Sequence, residues 1–137
     1  MDEEKTDITV YKHKELSKNI IKAFYNVYNV LGYGFLEKVY ENALIIELER
    51  IGLSAKAQWP IQVFYTGKTV GEYFADILVG ECIIVEIKAV KKLSSEHEAQ
   101  LLNYLKATQI EVGLLANFGP KPEVTRKAFD NSRKNKT

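Results

Sequence analysis

The sequence predicts an α/β fold with a central four-stranded mixed sheet flanked by helices, its elements in the order ααβββαβ. Three observations predict it. Two stretches of helical apolar spacing come first, three β-branched and aromatic runs separated by glycine-centred turns follow, and a capped helical segment divides the third run from a fourth. Between Leu16 and Leu31 the apolar residues Ile20, Phe24, Val27 and Leu31 form one stripe, with Lys18, Lys22 and Asn26 elsewhere, which is an amphipathic helix. Gly32 and Gly34 bracket Tyr33 as a helix stop and turn, and a second helical pattern runs from Phe35 to Ile51 before Gly52 closes it.

After Gly52 the period changes. Strands are expected at Ala57 to Thr66, interrupted by Pro60, at Thr69 to Val79 and at Cys82 to Ala89, with turns at Gly67-Lys68 and Gly80-Glu81. Ser95 followed by Glu98 reads as a capping box opening a third helix that carries Leu101, Leu102 and Leu105 toward a core. A last strand, Val112 to Asn117, ends at Phe118-Gly119-Pro120, so the unit from Cys82 to Asn117 is a crossover whose two strands run parallel. From Lys121 the chain turns polar and basic, with room for a short edge strand before it frays.

The chain has 137 residues, 46% hydrophobic and 27% charged, which is ordinary globular usage and excludes coiled-coil, collagen-like and wholly disordered readings. That length predicts one domain over 1–137, with 1–15 and 121–137 peripheral or partly disordered. Cys82 is the only cysteine, so neither a disulfide nor a cysteine-based zinc site can form within the chain, and a buried, inert thiol is expected. No apolar run approaches the roughly 18 residues of a membrane span and the start is unlike a secretory signal, so the expected location is cytoplasmic with no membrane partner. A net charge of +1 gives no general pull toward nucleic acid, so any such binding must come from local clustering.

The chemistry concentrates in charges set inside apolar strands: Asp76 within Tyr73-Phe74-Ala75-Asp76-Ile77-Leu78-Val79, and Glu86 and Lys88 within Ile83-Ile84-Val85-Glu86-Ile87-Lys88-Ala89. Ionised groups in such surroundings must pair, hold a cation or reach a wet cleft. Strand alternation puts Glu86 and Lys88 on one face and Ile87 on the other. A two-residue turn at Gly80-Glu81 would pair Ala75 with Glu86 and send Asp76 away; a three-residue connection through Gly80, Glu81 and Cys82 sets Asp76 opposite Glu86, and that register is the one expected. Two carboxylates so placed repel unless a hard cation sits between them, and oxygen donors favour Mg²⁺, Mn²⁺ or Ca²⁺ over zinc. Such an ion suits phosphodiester hydrolysis, with Lys88 orienting the attacking water or stabilising charge on the phosphate. The competing reading of the same residues is a buried ion-pair cluster without catalysis.

Asp76 followed by Glu86-Ile87-Lys88 resembles the Asp and Glu-x-Lys signature of PD-(D/E)XK nucleases, and the element order is similar to that superfamily's restriction-endonuclease-like core. Gly34-Phe35-Leu36-Glu37-Lys38-Val39-Tyr40 matches the Gly-x-x-Glu-x-x-Tyr motif that names the GxxExxY protein family within it. Gly71-Glu72-Tyr73 with Ala75-Asp76, the run His97 to Leu105 and the run Gly113 to Gly119 fit its continuation, so the resemblance spans about Ile20 to Gly119. The superfamily's Pro is replaced here by Ala75, which removes a backbone constraint and no reactive group.

The resemblance implies a Mg²⁺- or Mn²⁺-dependent nuclease, a hydrolase acting on DNA rather than RNA. Asp76, Glu86 and Lys88 are its implied catalytic residues. Asp76, Glu86 and the backbone carbonyl of Ile87 are the implied metal ligands, with Glu37 as the acid contributed by the helix before the sheet. Glu37 and Tyr40 share a helix face and so can lean together over the sheet; without the resemblance they read as an exposed acid and a core ring. Gln100 and Tyr104 resemble a Gln-x-x-x-Tyr element found after the Glu-x-Lys strand, and Tyr40, Gln100 and Tyr104 are therefore supporting or substrate-binding candidates. Lys91, Lys92, Lys38 and Lys68 are candidates for a positive rim around the phosphates. The alternative function is a catalytically silent nucleic-acid- or protein-binding module on the same fold, and a third is a structural role in which the ion pair fixes strand register. A chain this small offers little surface to an extended target, so a homodimer or a protein partner is also expected.

Overall fold

A computed structural model of the chain describes residues 13–134. Helices α1 (Lys14–Leu31) and α2 (Glu37–Arg50) come first, followed by β1 (Ala55–Tyr65), β2 (Lys68–Val79), β3 (Ile83–Lys88), α3 (Ser95–Ala107), β4 (Val112–Asn117), β5 (Glu123–Ala128) and a short 3-10 turn at Asn131–Arg133. The five strands lie side by side in chain order. Only β3 and β4 run parallel, joined by α3 as the crossover; the other neighbours are antiparallel.

The sheet therefore has five strands where the sequence predicted four. The fifth, β5, pairs with β4 from Val112↔Ala128 to Asn117↔Glu123 and contributes six half-buried residues with no apolar alternation. It fills the room the sequence left for a short edge strand after Lys121, and Lys127 is held there by an ion pair to Glu98 on α3. The stretch 121–137, expected to be peripheral or partly disordered, thus supplies β5 and the 3-10 turn; 1–12 and 135–137 lie outside the described residues. Pro60 sits within β1, where an edge strand can spare a backbone N–H. The β1–β2 turn is one residue earlier than predicted, at Thr66-Gly67, both with positive φ, which suits a two-residue hairpin.

Each face of the sheet has its own core. Ile77, Val79, Ile83, Val85, Ile87, Val112 and Leu114 pack with Ile20, Phe24 and Val27 of α1 and Tyr40, Leu44 and Leu48 of α2. On the other face Leu78, Ile84 and Leu115 pack with Leu101, Tyr104 and Leu105 of α3. Each fully buried large side chain contributes roughly 1.5–3 kcal/mol, so the central strands are the most strongly anchored part of the sheet. Cys82 packs at the margin of the first core and is half-buried, more accessible than the enclosed thiol expected. Among the described residues no helix is long and apolar enough to cross a membrane.

The cap of α3 lies one residue before the predicted one. Ser94 is the N-cap and accepts from the His97 backbone N–H at 3.3 Å, while His97 Nδ1 accepts from the Ser94 N–H at 3.1 Å. Two serines precede two residues able to close the box three positions on, and the structure uses the first pair. Glu98 is thereby released to meet Lys127.

Candidate functional site

The parity of the β2–β3 connection decides whether a site exists. Gly80 and Glu81 both take left-handed backbone angles (φ 59° and 60°), the Cys82 N–H donates to Val79 O at 3.0 Å, and Cys82 adds a third residue before pairing begins. The ladder then reads Val79↔Ile83, Leu78↔Ile84, Ile77↔Val85. One step further, Asp76 faces Glu86. Alternation along β3 puts Glu86 and Lys88 on the face of Ile84, while Ile87 is buried in the opposite core.

At that step backbone pairing gives way to side chains. The Asp76 N–H donates to Glu86 Oε2 at 2.8 Å, and the Ile87 N–H donates to Asp76 Oδ2 at 2.7 Å. Each carboxylate thus grips the other residue's strand, and β3 beyond Val85 pairs only with β4. Because the N–H and C=O of one strand residue project to the same side, the Ile87 carbonyl is directed at the gap between β2 and β3 as well.

This pair is electrostatically uncomfortable. Glu86 is only 5% exposed; burial first, and then repulsion from Asp76, push its carboxyl up to about 8 from an ordinary 4.5. Asp76 is half-buried and is also raised, chiefly by burial, with the Ile87 N–H bond and the Lys88 ammonium pulling in the other direction. Tyr104 of α3 lies close enough to feel both acids: burial, then Glu86 and Asp76, raise its phenol to about 12. Were Glu86 to lose its proton, the two carboxylates would outweigh the Lys88 ammonium by one negative charge.

The backbone around the pair is firmly held. The Phe118 N–H donates to Lys88 O at 2.7 Å, and the Phe118 ring stacks on Tyr40 (4.4 Å between centroids, 15° between planes) and leans on Phe24 at 4.5 Å. Tyr40 is fully enclosed; its hydroxyl donates to Gly32 O at 2.7 Å and accepts from the Phe35 N–H at 3.2 Å. It closes the α1–α2 loop and supports the end of β3 through Phe118, away from the carboxylates themselves. Asn117, wholly buried, receives the Val90 N–H on its Oδ1 and donates from Nδ2 to Val90 O, both at 2.9 Å. Beside it a Cβ on Gly119 would stand 1.9 Å from Val90 O, so only glycine allows this approach. The segment leaving Lys88 is therefore clamped to the end of β4.

Other candidates fall at different distances from this centre. Glu37, at the first turn of α2, is exposed, yet its charge acts on both Asp76 and Glu86. Glu41, one turn on and not singled out from the sequence, is buried; it accepts from Lys38 Nζ and Gln58 Nε2, both at 2.9 Å, and presses on Asp76 more strongly than Glu37 does. Gln58 stands at the β1 position facing Asp76, interrupts the ladder there and carries a left-handed φ of 52°. A strained non-glycine residue beside the acids was the one signal that marked this corner, and it is invisible in sequence. Gln100 is exposed on α3. His97 spends its Nδ1 on the helix cap. Lys68 opens β2 eight residues before Asp76, roughly 26 Å away at about 3.3 Å per residue, so it does not belong to the rim predicted for it.

Among the described residues no three Asp, Glu, His or Cys side chains converge as a metal cage. What converges is a pair of carboxylates and a peptide carbonyl. That donor set suits a small hard cation such as Mg²⁺, which commonly takes one or two carboxylates and completes its shell with water and substrate phosphate. The buried, mutually repelling acids supply the reason such an ion would be held.

Comparison with known proteins gives the superfamily and the fold. The family model of the PD-(D/E)XK nuclease superfamily matches residues 14–127. The solved structure of SSO0001 is similar to the chain with a TM-score of 0.57 at 19% identity, over 89% of this chain and 62% of that one. The chain thus spans less than two thirds of SSO0001, and at that identity the likeness concerns the fold. No curated protein sequence matches.

Proposed function

The chain belongs to the PD-(D/E)XK nuclease superfamily, and from that premise we propose that it is a divalent-metal-dependent nuclease that hydrolyses phosphodiester bonds in DNA. The observation that carries the proposal is the opposition of Asp76 and Glu86 across β2 and β3, with Lys88 on the same face. Asp76 Oδ1, Glu86 Oε1 and the Ile87 carbonyl would hold Mg²⁺ or Mn²⁺, since the backbone N–H groups engage Oδ2 and Oε2. Such an ion, when bound, polarises a phosphodiester and lowers the pKa of a nearby water.

The chain's own groups do the rest. Asp76 and Glu86 are locked by each other's strand, so their orientation costs nothing when substrate arrives. Lys88, fixed through Lys88 O and Phe118, places an ammonium where charge develops on the phosphate. Glu37 is the proposed further acid, Gln100 and Tyr104 on α3 are proposed to contact the nucleic acid, and Tyr40 positions the end of β3. The finer assignment to the GxxExxY family rests on Gly34 to Tyr40, where the motif's tyrosine hydrogen-bonds across the loop that contains its glycine. DNA is the proposed partner, with a second copy or a partner protein adding recognition surface.

The test is cleavage of single-stranded, double-stranded and branched DNA with Mg²⁺ or Mn²⁺ by wild type, Asp76→Ala and Lys88→Ala. Activity in wild type alone is the expected result. Equal background in all three would leave the catalytically silent binding module as the better reading. A thermal shift on adding the ion, erased in Glu86→Gln, checks the metal step by mass action.

A further inference from the structure

On the α3 side of the sheet a groove of about 1040 Å³ runs between the outer part of the β1–β2 hairpin, α3 and the segment after β5. Its near end is Tyr104, whose ring lies 5.8 Å from that of Tyr73, and Tyr104 is the α3 residue that feels Asp76 and Glu86. Tyr104 thus lies between the groove it lines and the carboxylate pair whose charge it feels. Along one wall Phe64 and Tyr73 are 45% and 48% exposed, an unusual state for aromatic strand residues. On the other wall Phe129 carries Arg133 over its ring at 4.5 Å and Lys106 at 5.5 Å.

The charge in this groove is one-sided. Among the described residues that line it there are Lys106, Arg133 and Lys134 and no Asp or Glu. The nearby acids are committed elsewhere, Glu111 accepting from the Asn131 N–H and Asp130 capping the 3-10 turn. Lys134 in turn pins the segment by donating to Thr108 O and Ile110 O. Lys106 and Arg133 remain as cations held in place by an aromatic ring, which is a prepared anion site.

We propose that this groove binds the single strand of DNA flanking the scissile phosphate, with Lys106 and Arg133 on successive phosphates and Phe64 and Tyr73 stacking on unpaired bases. The inference rests on the nuclease reading for its link to the carboxylate pair, and its binding step is independent of catalysis. Exposed ring faces select a single strand, because a duplex keeps its base faces stacked and out of reach. An acidic peptide would satisfy the cations and leave Phe64 and Tyr73 without a use.

The experiment measures fluorescence anisotropy of a labelled oligothymidine with the full chain in EDTA, where no cleavage occurs. Wild type is compared with the Lys106→Ala/Arg133→Ala double variant and with Phe64→Ala, each checked for folding by circular dichroism. Phe64 is a surface residue, so its variant keeps the test open if the double variant misfolds. The double variant is expected to bind at least tenfold more weakly, with a salt slope smaller by about 1.4, as roughly 0.7 per lost phosphate contact requires. Phe64→Ala is expected to lose about tenfold. Unchanged affinity in folded groove variants overturns the groove and leaves the nuclease reading intact. Equal competition by duplex DNA or by polyglutamate also overturns it. Groove-dependent binding by a wild type that cleaves nothing with Mg²⁺ or Mn²⁺ would remove the nuclease reading and leave the groove standing.

Discussion

Asn117 and Glu86 are buried polar residues on adjoining strands, and the fold treats them in opposite ways. Asn117 has a complementary partner for each of its polar atoms, the N–H and C=O of Val90, and behaves as one more rung of the sheet. Glu86 has one backbone donor, faces a second carboxylate and is pushed toward its neutral form. The first residue lowers the energy of the folded chain. The second raises it, and structures retain such conflict where a ligand is meant to resolve it. The difference separates residues that hold the site from residues that are the site, and Tyr40 and His97 fall with Asn117.

The comparison can be broken most directly at Lys88. With Mg²⁺ present, Lys88→Ala is expected to lower the cleavage rate by about 10²–10³-fold while its melting temperature stays near that of wild type, because the change removes charge stabilisation rather than packing. A large loss of stability with little loss of rate would place Lys88 among the structural residues instead. Asn117→Ala should show the reverse pattern. It orphans two buried backbone groups, and urea unfolding should report a loss of about 2–3 kcal/mol.

A pH series sharpens the contrast further. In the folded chain Glu86 keeps its proton up to about 8, against 4.5 when unconstrained. Between those values the folded state binds more protons than the unfolded one, so stability present below 4.5 is lost as pH rises through 8. Asp76 is shifted in the same direction and adds to the trend. Urea midpoints taken without metal should therefore fall from pH 5 to pH 8, and saturating Mg²⁺ should flatten the decline. A metal-free midpoint that climbs over this range would mean the acids are already compensated. The smallest effect is expected at His97, where His97→Ala loses half of a capping box, lowers stability by about 1 kcal/mol and leaves cleavage unchanged.

Much of this division was readable in the sequence, and for a definite reason. Alternation along β3 obliges Glu86 and Lys88 to share a face, and the count of residues between Val79 and Ile83 fixes what lies opposite Glu86. These are local properties. What escaped was set by distant partners: Glu41 looks like any helix acid until Gln58 of β1 reaches it, and the edge strand allowed for after Lys121 could not be given bounds because the six residues of β5 are all half-buried and carry no apolar rhythm. The α3 cap shifted by one position because Ser94 and Ser95 offer the same chemistry and packing chose between them. The groove was least legible of all, since Phe64, Lys106, Phe129 and Arg133 come from β1, α3, the segment after β5 and the 3-10 turn.

The chain-order arrangement of the strands has one more consequence. Among the described residues such a sheet has two unpaired margins, β1 and β5, and an open margin is a template on which a foreign strand can grow. On β1, Pro60 withholds an N–H and the left-handed Gln58 breaks the line; on β5, Arg126 and Lys127 place charge along the border. Both margins carry the features by which natural sheets resist edge-to-edge aggregation. A mutant that regularised β1, with Pro60→Val and Gln58→Val together, would trade that insurance for a smoother border and a greater tendency to form fibres.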